Sequence, residues 1–379
     1  MAPGFVVSAF SSDVVHRIGG SDRYETAAKI ALNNGANDYV VLASGANFPD
    51  ALSSGYLANQ IGGGSILLTT ATSLPVVTAT TMRELGTRTV FIVGGTGAIS
   101  AGVEAQLKAT SQYYPGGHET IGQGKLNVVR LGGIDRYATN KAVNQYAAAM
   151  YEGDNPVGRT AITFGQSSKL TALVATGENF PDALAAGPAT AGSFRGNLPL
   201  ILTRTGSLDP NAAAQLNNLG IQQAVVLGGT GAVSAAVATS ITGMGIAIDR
   251  LGGADRYATA ALIADFETAD ANPTATTDGG LGFDNPHGCG NGGTIPYSVC
   301  NERVYLATGV VYADALAGAT LAGGSGSPIL LTAPTTLSTP TQVWLAAHAA
   351  TYSTVVAFGL AGAVSNAVLD AANAAVAGG

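Results

Sequence analysis

RIGGSDRY at residues 17–24, RLGGIDRY at 130–137 and RLGGADRY at 250–257 are one phrase written three times in this chain of 379 residues. A second shared stretch follows each, ASGANFPDAL, ATGENFPDAL and ATGVVYADAL, and then an apolar run ending in Thr69, Thr203 or Thr332. A third block recurs as GGTGAIS from Gly94, GGTGAVS from Gly228 and FGLAGAVS from Phe358. The distance from Asp50 to Asp182, and again from Asp182 to Asp314, is 132 residues. That period is too long for a solenoid layer of about 20–50 residues and suits a domain with its own core. Three globular copies are therefore expected, over 13–127, 128–248 and 249–379, the last with an insert at 273–302.

Each copy reads as alternating strands and helices. After the Arg-Gly-Gly segment, ETAAKIALNN has helical spacing, YVVLASG is a short apolar strand, and NFPDALSSGYLANQ is a helix with Pro49 in its first turn. SILLTT and TVFIVGG are further buried-type strands around a helix, SLPVVTATTMREL. This alternation predicts α/β modules with parallel sheets covered on both faces. A composition that is 46% hydrophobic and only 11% charged, with 52 Gly, fits small-residue packing joined by tight loops. The Gly- and Asn-rich segments TSQYYPGGHETIGQGK, MYEGDNPVGRTAITFGQSSK and NPTATTDGGLGFDNPHGCGNGG read as surface excursions.

Charge is shared unevenly, with net values of −1, +1 and −7 for the three copies. The acidic excess argues against nucleic-acid binding, and any anion site must be local. No apolar run is long enough for a membrane span, and the opening MAPGFVVSAFSS lacks the pattern of a signal peptide, so it reads as a mature or re-engineered N-terminus. Cys289 and Cys300, both in the insert, predict a local disulfide and an oxidising, extracellular setting.

The recurring R-[IL]-G-G-x-D-R-Y, G-x-N-F-x-D-A-L, I-L-L-T and G-G-T-x-A-[IV]-S motifs resemble the cell wall binding repeat type 2 family over nearly the whole chain. The resemblance implies three tandem Rossmann-like or Toprim-like modules packed as an intra-chain pseudo-threefold trimer. It also implies secretion to a Gram-positive cell surface, as in S-layer-associated proteins. There the role is non-catalytic, non-covalent anchoring through a surface glycopolymer, anionic or teichoic-acid-like, with no cofactor and no metal. An alternative is a structural or adhesive surface protein that self-associates or displays its inserts to a protein partner. The third copy departs most, with Val311, Tyr312 and Ala313 for Asn-Phe-Pro and Leu360-Ala361 for Gly-Thr. It is expected to close the trimer while the first two copies bind.

Two readings stay open for most repeated residues. Arg17, Arg130 and Arg250, with Arg23, Arg136 and Arg256, either present guanidinium forks to phosphate or carboxylate groups or lock module to module by pairing with Asp22, Asp50 and their equivalents. Asp135 and Asp255 share the capping position of Asp22, while Asp182 and Asp314 share the first-turn position of Asp50; these six read as structural. Gly95-Thr96 and Gly229-Thr230 offer backbone amides to an anion or simply make tight turns. Ser44, Thr176, Thr69 and Thr203, at C-terminal strand ends, either receive a polymer or cap the next helix.

Overall fold

A computed structural model describes residues 16–114, 118–119, 124–150, 161–164, 167–192, 197–268 and 303–378. Cys289, Cys300 and the insert lie outside the described residues. Three separate parallel sheets carry the chain, each with helices on both faces. The first sheet runs Ser65–Thr69, Tyr39–Ser44, Thr89–Val93, Asn127–Leu131 across its width. The second repeats that order with Leu200–Thr203, Ser167–Thr176, Gln223–Leu227 and Ala247–Leu251, and the third with Ile329–Thr332, Arg303–Thr308, Thr354–Phe358 and Arg17–Ile18.

The sheets are thus offset from the repeated phrase by one strand. The start of the Arg-Gly-Gly stretch, which the sequence places just before a helix, is a strand in all three cases. Arg130 lies on the last strand of the first sheet, and Arg250 on the last strand of the second. Arg17 and Ile18, near the start of the chain, pair with Ala357 and Phe358 near its end. Each phrase finishes the sheet before it and starts the helix of the next, so the three modules form a closed ring.

Period-two alternation places each strand in two cores. In the first sheet Val40 and Leu42 join an outer cluster confined to that module, with Met82, Leu85 and Val103. Val41 and Ala43 point the other way, into one central cluster fed by all three modules. Packed against it, the rings of Phe48, Phe180 and Tyr312 sit 5.3, 6.1 and 6.1 Å apart in tilted or edge arrangements, one ring from each copy. Small residues let the surrounding helices close in. A Cβ on Gly55 would meet Thr190 Oγ1 at 2.1 Å, and one on Gly187 would meet the Ala319 Cβ at 2.8 Å.

Polar side chains stitch the modules inside this core. Asn140, fully buried on the helix Arg136–Ala149, donates to Ser53 Oγ of the first copy at 2.9 Å and to the Leu200 carbonyl of the second at 2.8 Å. Glu267, fully buried on the helix Arg256–Thr268, accepts from the Ala189 amide at 3.0 Å. Burial drives its carboxyl pKa well above the usual range.

Three local expectations change. NFPDALSSGYLANQ is two short helices, Phe48–Ala51 and Ser54–Gln60, and its second-copy counterpart is also split, as Pro181–Ala185 and Gly187–Ala191, where Pro188 lacks an amide. Only the third copy runs unbroken, Ala313–Ser325. AITF, read as part of an excursion, is the strand Ala161–Phe164, antiparallel to Ser167–Thr176; its β-branched and aromatic residues were the available signal. Tyr113–Tyr114 and His118–Glu119 likewise pair antiparallel within the first excursion.

The strand handover requires glycine. A Cβ on Gly132 would lie 2.8 Å from the backbone of Gly94, and Gly19 and Gly252 face the equivalent clash with Gly359 and Gly228. Gly132→Ala is expected to cost about 1–3 kcal/mol in urea denaturation. Gly97→Ala, with nothing within 4 Å of the new methyl, is expected to stay within about 0.5 kcal/mol of the parent. Equal stability of both variants would contradict this packing.

Candidate functional site

The two arginines of the phrase have different places. Arg17, Arg130 and Arg250 each give Nη1 to a carbonyl of the preceding module's Gly turn: Gly359 at 2.8 Å, Gly94 at 2.9 Å and Gly228 at 2.7 Å. Arg130 also pairs through Nε with Glu104 at 2.7 Å, and Arg17 donates to Asn366 Oδ1 at 3.1 Å. Burial lowers the pKa of Arg17 and Arg250. These forks hold the borrowed strand against its new sheet.

Arg23, Arg136 and Arg256 open the helices that follow, and each gives Nη1 to the glycine carbonyl after the strand Tyr39–Ser44, Ser167–Thr176 or Arg303–Thr308, namely Gly45, Gly177 or Gly309. Their charge also reaches back across the joint. Arg136 acts on Asp50, Arg256 on Asp182 and Arg23 on Asp314, which closes the cycle. The Arg136 guanidinium lies 5.9 Å from the Phe48 ring centre and Arg23 6.0 Å from that of Tyr312, within cation–π range.

Asp22, Asp135 and Asp255 cap these helices, each accepting at 2.8 Å from the amide three residues on. Glu25 completes a variant of the capping box by accepting from the Ser21 amide at 2.7 Å. Asp50, Asp182 and Asp314 lie over the point where each sheet's strand order reverses, the usual ligand crevice of an open parallel sheet. They fill it closely: a Cβ on Gly94, Gly228 or Gly359 would come within 2.8, 2.2 or 2.4 Å of the corresponding Oδ2. All three glycines have positive φ, so the turn needs glycine twice over.

Burial raises all three aspartate pKa values. Hydrogen bonds from Thr139 and Thr259 partly offset this for Asp50 and Asp182. Asp314 has only the charge of Arg23 as an offset and is pushed up to about 6.

The strand-end hydroxyls are turned inward. Ser44, Thr69, Thr176 and Thr203 are all buried. Ser44 accepts from the Ala46 and Asn47 amides, Thr69 donates to the Ser73 carbonyl, Thr176 meets Thr205 at 3.0 Å, and Thr203 accepts from the Asp209 amide. In the Gly turns, Thr96 and Thr230 are exposed, while Gly95 and Gly229 carbonyls accept from Ile99 and Val233. Helix formation begins only after Ser100 and Ser234, which cap the helices Ala101–Ala109 and Ala235–Thr242.

One joint is open. Between the third and first copies lies a cleft of about 240 Å³, floored by Asp314 and Arg23, with Ser21, Val311, Leu360 and Ala363 around it. The sequence reading treated this copy as the one to close the trimer rather than bind. What it missed was that a third-copy site would be completed by first-copy residues 20–26.

The repeated joints coincide with the segments matched by a family model described as Cell wall binding domain 2 (CWB2), at residues 17–104, 130–238 and 250–369. The chain belongs to the CWB2 family. Among curated proteins it is 27% identical over 336 residues to N-acetylmuramoyl-L-alanine amidase LytC of Bacillus subtilis (strain 168), covering 88% of this chain and 53% of LytC. It is 25% identical over 318 residues to the Amidase enhancer of the same organism, covering 84% of this chain and 34% of the enhancer. The chain therefore spans about half or less of the relatives it matches. Among solved structures, Cwp6 from Clostridium difficile shares the fold with a TM-score of 0.69 at 20% identity, over 99% of this chain and 51% of Cwp6. Cwp8 from the same organism gives 0.70 at 21% identity, over 96% of this chain and 52% of Cwp8. No helix among the described residues is long and apolar enough to cross a membrane.

The Asp314 carboxyl makes this CWB2 chain's stability depend on pH. The unfolded chain releases that proton near pH 3.8 and the folded chain near 6. Between those values the folded state holds more protons, so stability falls as pH rises and levels off above 6. Asp314→Asn cannot ionise and is expected to flatten that part of the profile, by at most about 3 kcal/mol. Urea denaturation from pH 4 to 7 reads it, and an unchanged slope in the variant would assign the titration to another group.

Proposed function

We propose that this chain holds an extracellular protein on the bacterial cell wall by non-covalent binding of an anionic, teichoic-acid-like surface glycopolymer. The observation that carries the reading is the match of all three copies to a cell wall binding family. Three cyclically equivalent joints give up to three weak sites on one rigid body, and linked weak sites bind a repeating polymer with avidity. At the first two joints Arg136 or Arg256 spends one donor on a carbonyl, and its remaining N–H groups are the positive charge that an anionic polymer group would meet. The exposed Thr96 and Thr230 border the same strand ends.

The role assigned to this chain is attachment rather than hydrolysis. LytC is named as an amidase, and the match leaves almost half of it uncovered; catalysis in such a protein is assigned to that other part. Arg17, Arg130 and Arg250, with the buried strand-end hydroxyls, are assigned to the fold rather than to the polymer, because their hydrogen bonds are made inside the chain.

Co-sedimentation with purified Gram-positive walls tests the reading. The chain is expected to pellet with intact walls, less so as salt rises, and to stay in solution with peptidoglycan stripped of its glycopolymers. Equal pelleting on stripped peptidoglycan would overturn the glycopolymer, and no pelleting on intact walls would overturn wall binding itself.

A further inference from the structure

We infer that the cleft between the third and first copies takes a single N-acylated amino-sugar unit, held by its acetamido group. This rests on the wall-polymer reading and names the chemical unit for one of the joints. At about 240 Å³ the cleft falls below the roughly 300–1,000 Å³ of drug-sized ligand pockets. It suits one sugar ring with a small substituent.

Three lining features select the substituent. Asp314 is only 7% exposed, faces the cleft, and takes no hydrogen bond from the described residues. A buried acceptor left without a donor is costly, and the Thr26 hydroxyl on the same wall is engaged as the acceptor of the Gly20 amide at 3.0 Å. An N–H donor from a ligand would supply what is missing here. Arg23 lies beside it with guanidinium donors beyond the one given to Gly45, suited to a carbonyl oxygen. Val311 and Leu360 line the cleft while 41% and 46% exposed. They replace Asn47 or Asn179 and Gly95 or Gly229 of the other copies, and they offer an apolar seat for a methyl group.

An acetamido group presents N–H, C=O and CH₃ together. A plain hexose supplies hydroxyls but no methyl, so it leaves Val311 and Leu360 in water. A phosphate would meet two carboxylates, Asp314 and Asp22, on the same walls. The third copy's departures from the shared motif, and its acidity, then have a common use.

Ligand-observed saturation-transfer NMR on the full chain is the test, with methyl N-acetyl-β-glucosaminide, methyl β-glucoside and glucose 1-phosphate as probes. The expected result is saturation concentrated on the acetamido methyl of the first probe, with the glucoside about tenfold weaker, the scale of a lost apolar contact. The doubly substituted Val311→Asn, Leu360→Gly chain, which restores first-copy residues, is expected to lose that methyl preference with unchanged melting. Val311→Asn alone serves if the double variant melts early. Equal response to glucosaminide and glucoside, or a preference unchanged in the variants, would overturn the inference. Wall co-sedimentation run in parallel separates the two failures: pelleting without an acetamido signal removes only this assignment, whereas an acetamido signal without pelleting removes the wall reading and keeps the sugar site.

Discussion

Everything in this architecture depends on one glycine packed against another across a module boundary. At Gly132 on Gly94, Gly252 on Gly228 and Gly19 on Gly359, backbone meets backbone with no room for a methyl group. That approach lets the arginine two residues earlier reach the turn carbonyl and seats the borrowed strand in the neighbouring sheet. The strand then fixes where the following helix begins, and hence where its Asp cap and Arg fork come to lie. The central aromatic trio and the shared core are consequences of three such handovers turning in the same sense.

The ring has threefold connectivity but not threefold chemistry. At the joint of the third copy with the first, Asp314 faces a cleft whose wall carries Val311 and Leu360 in place of the Asn and Gly of the other copies. The aromatic trio repeats the pattern on a smaller scale, with Tyr312 in place of a phenylalanine. Its hydroxyl donates to the Ser44 carbonyl at 3.1 Å, which adds a polar tie between the last copy and the first. The joint that also closes the ring has thus acquired bonds the other two lack.

Much of this could be read from residues alone. Alternating apolar runs such as YVVLASG and SILLTT gave the parallel sheets, because period-two and period-3.6 patterns are local properties. The Asp caps were legible for the same reason. Hidden from a linear reading was which sheet a two-residue strand such as Arg17–Ile18 joins, since its partners lie some 340 positions away. The same blindness affected the site. Judged by its own motif losses, the third copy looked unfit to bind, while its cleft is half built from residues 20–26 of the first. Strand-end hydroxyls leave two readings open in the sequence, because a buried Thr203 and an accessible one have the same letter, and only packing separates them.

The strand Arg17–Ile18 also sets an order of events. A ribosome delivers these residues some 340 positions ahead of their partners Ala357 and Phe358. Until then the opening segment has no sheet to join, while the first two modules can finish theirs from strands at most about 90 residues apart. Closure is the contact with the greatest chain separation, and such contacts are slow to form. A chain cut short between residues 252 and 353 would keep two sheets and lose the third, with the ring left open at the joint that carries the cleft.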